Sequence, residues 1–188
     1  MSLNGMLVLV VGPSGVGKDS IIAGLLEQAS TSFPLLLAPR WCTRQQAGGI
    51  GHLPCSEAEF DLRLQLGCFA LNWSANGHRY GIGCEIDLWL HAGAMVLING
   101  SRSHAQHTLA RYPQAGLLHI TADPTVIAQR LHQRGREDEK AIEERLKRQP
   151  ELPQHERQAT IHNNGKLASA IVCGLEIMHQ WRKKGCEM

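Results

Sequence analysis

The chain has 188 residues, 43% of them hydrophobic and 19% charged, with a net charge of +2 at neutral pH. That length and balance fit one globular domain with a sizeable core and small inserted subdomains. They exclude a disordered chain and carry no electrostatic footprint for nucleic acid or a membrane surface.

The first apolar run, Met6–Val11, reads as a buried strand. It is far too short to cross a bilayer and, without a basic leader, does not read as a signal peptide. A glycine-rich loop follows, then a helix from about Lys18 to Ala29, and a second strand over Leu35–Ala38. Ser56 and Glu59 make a capping-box signal for a helix running toward Leu66. Phe69–Trp73 and the segment around Tyr80 flank Asn76-Gly77, a hairpin turn pair. A short helix over Ile86–His91, a strand over Ala94–Ile98, a helix over Arg102–Arg111 and a strand over Leu117–Thr121 come next. Asp123-Pro124 predicts a helix start, with an N-cap acid before a proline at the first helical position. That helix reaches about Arg134, and a charged helix occupies 139–148. Thr160–His162 closes the strands and Leu167–Lys183 is a final helix. Strands alternating with helices predict an α/β fold, a mainly parallel sheet flanked by helices. The chain shows no internal repeat and no low-complexity segment.

Cys42, Cys55, Cys68, Cys84, Cys173 and Cys186 form no C-x-x-C pair, so reduced thiols in a cytoplasmic protein are expected. His104 and His107 could share a helix face, where solvated surface is favoured over a metal site.

The chemistry sits in "GPSGVGKDS", residues 12–20. Gly12, Gly15 and Gly17 let successive N–H groups turn inward around phosphate oxygens, with Pro13, Ser14 and Val16 completing the cradle. Lys18 brings a compact charge to the β- and γ-phosphates, and the helix it opens adds its positive dipole end. The strand before and the helix after are the context a phosphate loop of a P-loop NTPase fold requires. The position that ordinarily carries a metal-binding hydroxyl holds Asp19 instead, followed by Ser20. Further on, Arg130, Arg134, Arg136 and Arg145 lie in an arginine-rich stretch with Gly135 as a hinge candidate. After a phosphate loop, a lid closing arginines over the transferring phosphoryl group is preferred to a merely solvated face.

With these motifs the chain resembles the guanylate kinases over essentially its whole length: "GPSGVGK", "CTR" at Cys42–Arg44, "SEAEF", "NGHRYG" at Asn76–Gly81 and the arginine-rich lid occur in that family's order. The resemblance implies a core of 1–38, 84–128 and 158–188, an acceptor-binding insertion at about 39–83 and a lid at about 129–150. It also implies that Arg44 and Tyr80 hold the acceptor's phosphate, with Arg40 beside them. The departures are at the base. The positions where guanylate kinases place polar base readers hold Leu71 and Ile82, a family tyrosine is replaced near His52, and the acidic end of the fourth strand has become Asn99–Ser101, followed by Arg102. With "GPSGxGKDS", "EIDLWLHAG" at Glu85–Gly93 and "NGSR" at Asn99–Arg102, the chain is similar to ribose bisphosphate kinases of bacterial phosphonate breakdown. That resemblance implies ATP and ribose 1,5-bisphosphate as substrates, Mg²⁺ as cofactor and 5-phosphoribosyl 1-diphosphate as product. Asn99 and Arg102 join Arg40, Arg44 and Tyr80 as acceptor-binding candidates; no nucleic acid or membrane partner is implied, and a homodimer stays open.

Asp19 then has a candidate role. A carboxylate is missing from the strand end and another stands in the loop, so Asp19 is expected to supply the lost charge at Mg²⁺. The alternative is that Asp19 caps the first helical turn while Ser20 reaches the metal. A nucleoside monophosphate kinase with altered base choice and a non-catalytic guanylate-kinase-like domain remain the rival readings.

Overall fold

The computed structural model describes residues 5–44, 49–75, 77–134 and 151–186. In chain order it contains β1 (Met6–Val11), α1 (Lys18–Leu26), β2 (Leu35–Leu37), β3 (Arg40–Cys42) and β4 (His52–Pro54). Then come α2 (Glu57–Gln65), β5 (Phe69–Ala75), β6 (His78–Gly83), α3 (Glu85–His91) and β7 (Met95–Asn99). A 3₁₀ turn over Arg102–His104 leads into α4 (Ala105–Arg111), β8 (Gly116–Thr121), α5 (Pro124–Arg134), β9 (Gln158–His162) and α6 (Leu167–Cys186).

The main sheet is parallel, in the order β2-β7-β1-β8-β9. All six residues of β1 are buried because both sheet faces are covered. Val8 and Val10 face Ile21, Ile22 and Leu25 of α1, with Ile127 of α5 and Met178 and Trp181 of α6 in the same cluster. Leu7, Leu9 and Val11 belong to the opposite cluster, with Ile86 and Leu90 of α3 and Leu109 of α4. The strand-to-helix crossovers therefore deliver loop ends to one edge of the sheet, where α/β folds bind ligands.

A second, four-stranded sheet has the order β4-β3-β6-β5. β5 and β6 form the expected antiparallel hairpin; Gly77 in its turn has φ +73°, and Asn76 lies outside the described residues. Sequence periodicity missed β3 and β4, which have three residues each. Two other boundaries moved. α1 ends at Leu26, because the N–H groups of Gln28 and Ala29 close tighter bonds to Leu25 and Leu26. The helix expected over Arg102–Arg111 is split, the His104 N–H bonding the Ser101 carbonyl to make the 3₁₀ turn. At α2 the Ser56 hydroxyl accepts the Glu59 N–H at 3.0 Å, as the capping signal requires. The helix expected at 139–148 lies outside the described residues.

Candidate active site

The loop after β1 folds around its own lysine. The Lys18 ammonium donates to the carbonyls of Gly12 at 2.8 Å and Pro13 at 2.9 Å. Gly17 caps α1 in a left-handed conformation, φ +93°, and a Cβ there would lie 2.6 Å from Asn163 Nδ2. That amide, 4% exposed and directly after β9, donates to the Val16 carbonyl at 2.8 Å, and Arg130 Nη1 donates to the same oxygen at 3.2 Å. Asn163 is in turn fixed by its backbone N–H on Thr121. Two donors from the C-terminal half of the chain thus hold one loop carbonyl and leave the loop's N–H groups to face a ligand. Gly15 and Val16 are buried; Pro13 is half-buried, and Ser14 and Ser20 are exposed.

Asp19 turns away from its own helix. Its Oδ1 accepts from Asn99 Nδ2 at 2.8 Å, across the gap to the end of β7, so the carboxylate stands at the strand end that lacks an acid of its own. A Cβ on Gly49, whose φ is +127°, would come within 2.9 Å of Asp19 Oδ2, so the glycine backbone walls that side. Asn99, 5% exposed, also accepts Arg40 Nη1 on its backbone carbonyl at 2.7 Å. Arg40 Nη2 contacts His52 Nε2. Asp19, Asn99, Arg40 and His52 therefore form one connected row between the phosphate loop and the small sheet.

Burial lowers the pKa of Arg40, an effect opposed by Tyr80, Cys42 and Asp19. Burial, then the neighbouring Arg40, brings His52 down to about 4 and keeps its imidazole neutral. The guanidinium of Arg40 lies 5.3 Å from the Tyr80 ring centre. Tyr80's own pKa is raised, chiefly by burial. Arg44 is exposed at the mouth of the small sheet, its backbone N–H on Cys42 Sγ at 3.3 Å. Arg102 is half-buried after β7 with its pKa lowered by burial. His119 on β8 is depressed by burial and then by its neighbours, Arg102 first, so Arg102 and Lys18 both lie near this strand.

Leu71 and Ile82 are 1% and 0% exposed and stand opposite each other in β5 and β6. They join the apolar cluster beneath the small sheet and offer no polar group to a base. His104 corrects the expectation of solvated surface. Its ring stacks on Trp73 at 5.2 Å, with the exposed His107 4.7 Å beyond. The packing of Trp73 against the 3₁₀ turn leaves it half-buried, and no local pattern foretold that contact.

Asn163 and His119 were not singled out by sequence, and His52 only as the neighbourhood of a replaced family tyrosine. Asn163's place just past a parallel strand is a usable signal; His119 is an isolated histidine with no motif. Arg134 ends α5, and Gly135, Arg136 and Arg145 of the expected lid lie outside the described residues. Among the described residues no cluster of three or more His, Cys, Asp or Glu forms a metal site. No described helix is long and apolar enough to cross a membrane.

No family model matches the chain. It is 44% identical over 166 residues to ribose 1,5-bisphosphate phosphokinase of Burkholderia pseudomallei (strain K96243), covering 87% of this chain and 90% of that one. It is 44% identical over 167 residues to the enzyme of that name from Pantoea vagans (strain C9-1), covering 88% and 92%. To its namesake in Klebsiella pneumoniae subsp. pneumoniae it is 43% identical over 169 residues, covering 89% of each. Among solved structures, guanylate kinase from Anaplasma phagocytophilum shares the fold with a TM-score of 0.66 at 13% identity, covering 94% of this chain and 86% of that one. A gluconokinase from Sinorhizobium meliloti 1021 aligns with a TM-score of 0.56 at 15% identity, covering 98% and 97%.

Proposed function

The chain belongs to the ribose 1,5-bisphosphate phosphokinase family, and from that premise we propose that it transfers the γ-phosphoryl group of ATP to the 1-phosphate of ribose 1,5-bisphosphate. The products are ADP and 5-phosphoribosyl 1-diphosphate. The observation that carries this reading is the acceptor side: Arg40 stands across β3 and β6 from Ile82, one of a fully aliphatic pair with Leu71 opposite it. Such a site suits an acceptor with phosphates and no base.

In this reading the loop of Gly12–Gly17 and Lys18 hold the donor's phosphates, with Asn163 and Arg130 fixing the loop's shape. Arg40, Arg44 and Tyr80 hold the acceptor's phosphates and Arg102 its second phosphate. Asn99 orients Asp19 and Arg40 together. Catalysis is positioning and charge neutralisation. No general base is required, since the attacking phosphate oxygen is already ionised near neutral pH. Arg134, Arg136 and Arg145 complete the lid.

The donor chemistry fits Mg²⁺. Asp19 is a hard oxygen ligand beside the phosphate loop, and one carboxylate plus substrate phosphates and water is a usual Mg²⁺ arrangement. Asp19, with Ser20 next to it, would hold the ion, which when bound neutralises charge on the phosphates. Among the described residues Cys42, Cys55, Cys68, Cys84 and Cys173 form no disulfide, which suits the cytoplasm.

The deciding experiment is an acceptor panel with purified protein, following ADP. Ribose 1,5-bisphosphate is expected to be used efficiently and GMP, AMP, CMP and UMP weakly. A buried base edge without partners costs roughly 1–3 kcal/mol per group, so two lost readers reduce GMP use by about a hundredfold or more. GMP as the better acceptor by kcat/KM would make this a nucleoside monophosphate kinase. No ATP turnover with any acceptor would leave a binding domain.

A further inference from the structure

The candidate acceptor residues meet the acceptor's phosphates, and none of them meets its ribose. Among the described residues, three buried side-chain nitrogens lack a hydrogen-bond partner: Arg40 Nε, His52 Nδ1 and His104 Nε2. Their residues are joined by one run of contacts. Arg40 touches His52 and lies against Tyr80; Tyr80 stacks on Trp73 at 5.4 Å and 17°; Trp73 stacks on His104 at 5.2 Å and 21°. Unmet buried polar atoms are few in a folded protein, and three along one wall of side chains that begins at the proposed acceptor cation Arg40 point to partners supplied by the substrate.

The two ends of this wall differ in chemistry. Arg40 and His52 pair a cation with an imidazole, which suits a phosphate oxygen. His104 lies against an indole and, through burial and then its neighbour His107, is depressed to about 4, so it is neutral near pH 7. A neutral ring nitrogen beside an aromatic face suits a sugar, whose C–H groups pack on the ring while a hydroxyl meets the nitrogen. The ring is well held: the backbone N–H of His104 bonds Ser101 at 3.1 Å, its carbonyl accepts Thr108 Oγ1 at 3.2 Å, and Trp73 and His107 flank its ring. Arg102, two residues earlier on the same 3₁₀ turn, is an acceptor-phosphate candidate, so phosphate and sugar contacts would come from one turn.

We propose that His104, seated against Trp73, hydrogen-bonds a ribose hydroxyl of the acceptor through Nε2 and determines specificity for the sugar. The inference rests on the proposed activity and adds to it the group that recognises the ribose.

The test compares His104→Gln, whose amide reaches the place of Nε2, with His104→Asn, whose amide stops short of it. Wild type and both variants are assayed with ribose 1,5-bisphosphate and its 2-deoxy and 3-deoxy analogues, with folding followed by circular dichroism. Losing one neutral hydrogen bond is expected to cost about tenfold in acceptor kcat/KM. His104→Asn should show that loss with an unchanged KM for ATP, and His104→Gln should recover most of it. Wild type should lose a similar factor on one deoxy analogue, on which the Asn and Gln variants become equal. The inference is overturned if wild type uses both analogues as well as the parent sugar, if Gln is as poor as Asn, or if neither variant differs from wild type. If the unaltered protein does not phosphorylate ribose 1,5-bisphosphate at all, the proposed activity fails and the inference falls with it.

Discussion

Asn99→Asp tests whether the loop carboxylate truly answers to the strand end. In the wild type, Asn99 Nδ2 donates to Asp19 Oδ1 at 2.8 Å. The substitution replaces that bond by two carboxylates whose charge centres lie about 4 Å apart, where repulsion is roughly 1 kcal/mol in water and roughly 4 kcal/mol at an effective dielectric of about 20. Asn99 is buried and Asp19 half-buried, which places the cost between those limits. Arg40, bonded to the Asn99 carbonyl at 2.7 Å, offsets part of it. A net cost of about 2–3 kcal/mol lowers the melting temperature of a chain this size by roughly 4–12 °C. A divalent cation between the two carboxylates turns repulsion into attraction, so saturating Mg·ATP should stabilise the variant by more than it stabilises the wild type. The assay is thermal unfolding in chelator and in excess Mg·ATP. A metal-free variant as stable as wild type, or an equal Mg·ATP shift in both proteins, would refute the reasoning.

Lys18→Met should fold normally but lose turnover by about a hundredfold or more, since it removes the charge on the transferring group; near-normal kcat in a folded variant would sink the kinase mechanism. Asp19→Asn should raise the Mg²⁺ concentration for half activity, and Ser101→Asp in the same chain should recover part of the loss, a coupling measured by a double-mutant cycle. His52 and His104 are both depressed from 6.5 to about 4. Below pH 6.5 the unfolded chain binds protons that the folded chain refuses, so stability should fall as pH drops from about 6.5 toward about 4. His104→Gln should flatten part of that slope in urea melts, and an unchanged slope would show that His104 protonates freely in the fold.

The local pattern of the chain determined its framework. A buried strand, a glycine loop and a helix opening at Lys18 are adjacent in sequence, so periodicity and loop chemistry suffice to find them. The alternation of longer elements gave the parallel sheet for the same reason, and the capped start of α2 depends only on residues three apart. Arg40, Arg44, Tyr80, Asn99 and Arg102 were legible as candidates only through the order of family motifs.

Tertiary structure decided what those residues face. β3 and β4 have three residues each, too few for a period to register, and exist because β4 pairs with β3 and β3 with the more distant β6. Asp19 meets Asn99 across 80 positions, and Asn163 holds the Val16 carbonyl across 147. His104 becomes part of a wall only because the small sheet brings Trp73 against the 3₁₀ turn. Such contacts are set by how crossovers return the ends of parallel strands to one edge of the sheet. A residue's neighbours in sequence carry no record of that return, so the motif was readable and the site it serves had to be folded to be seen.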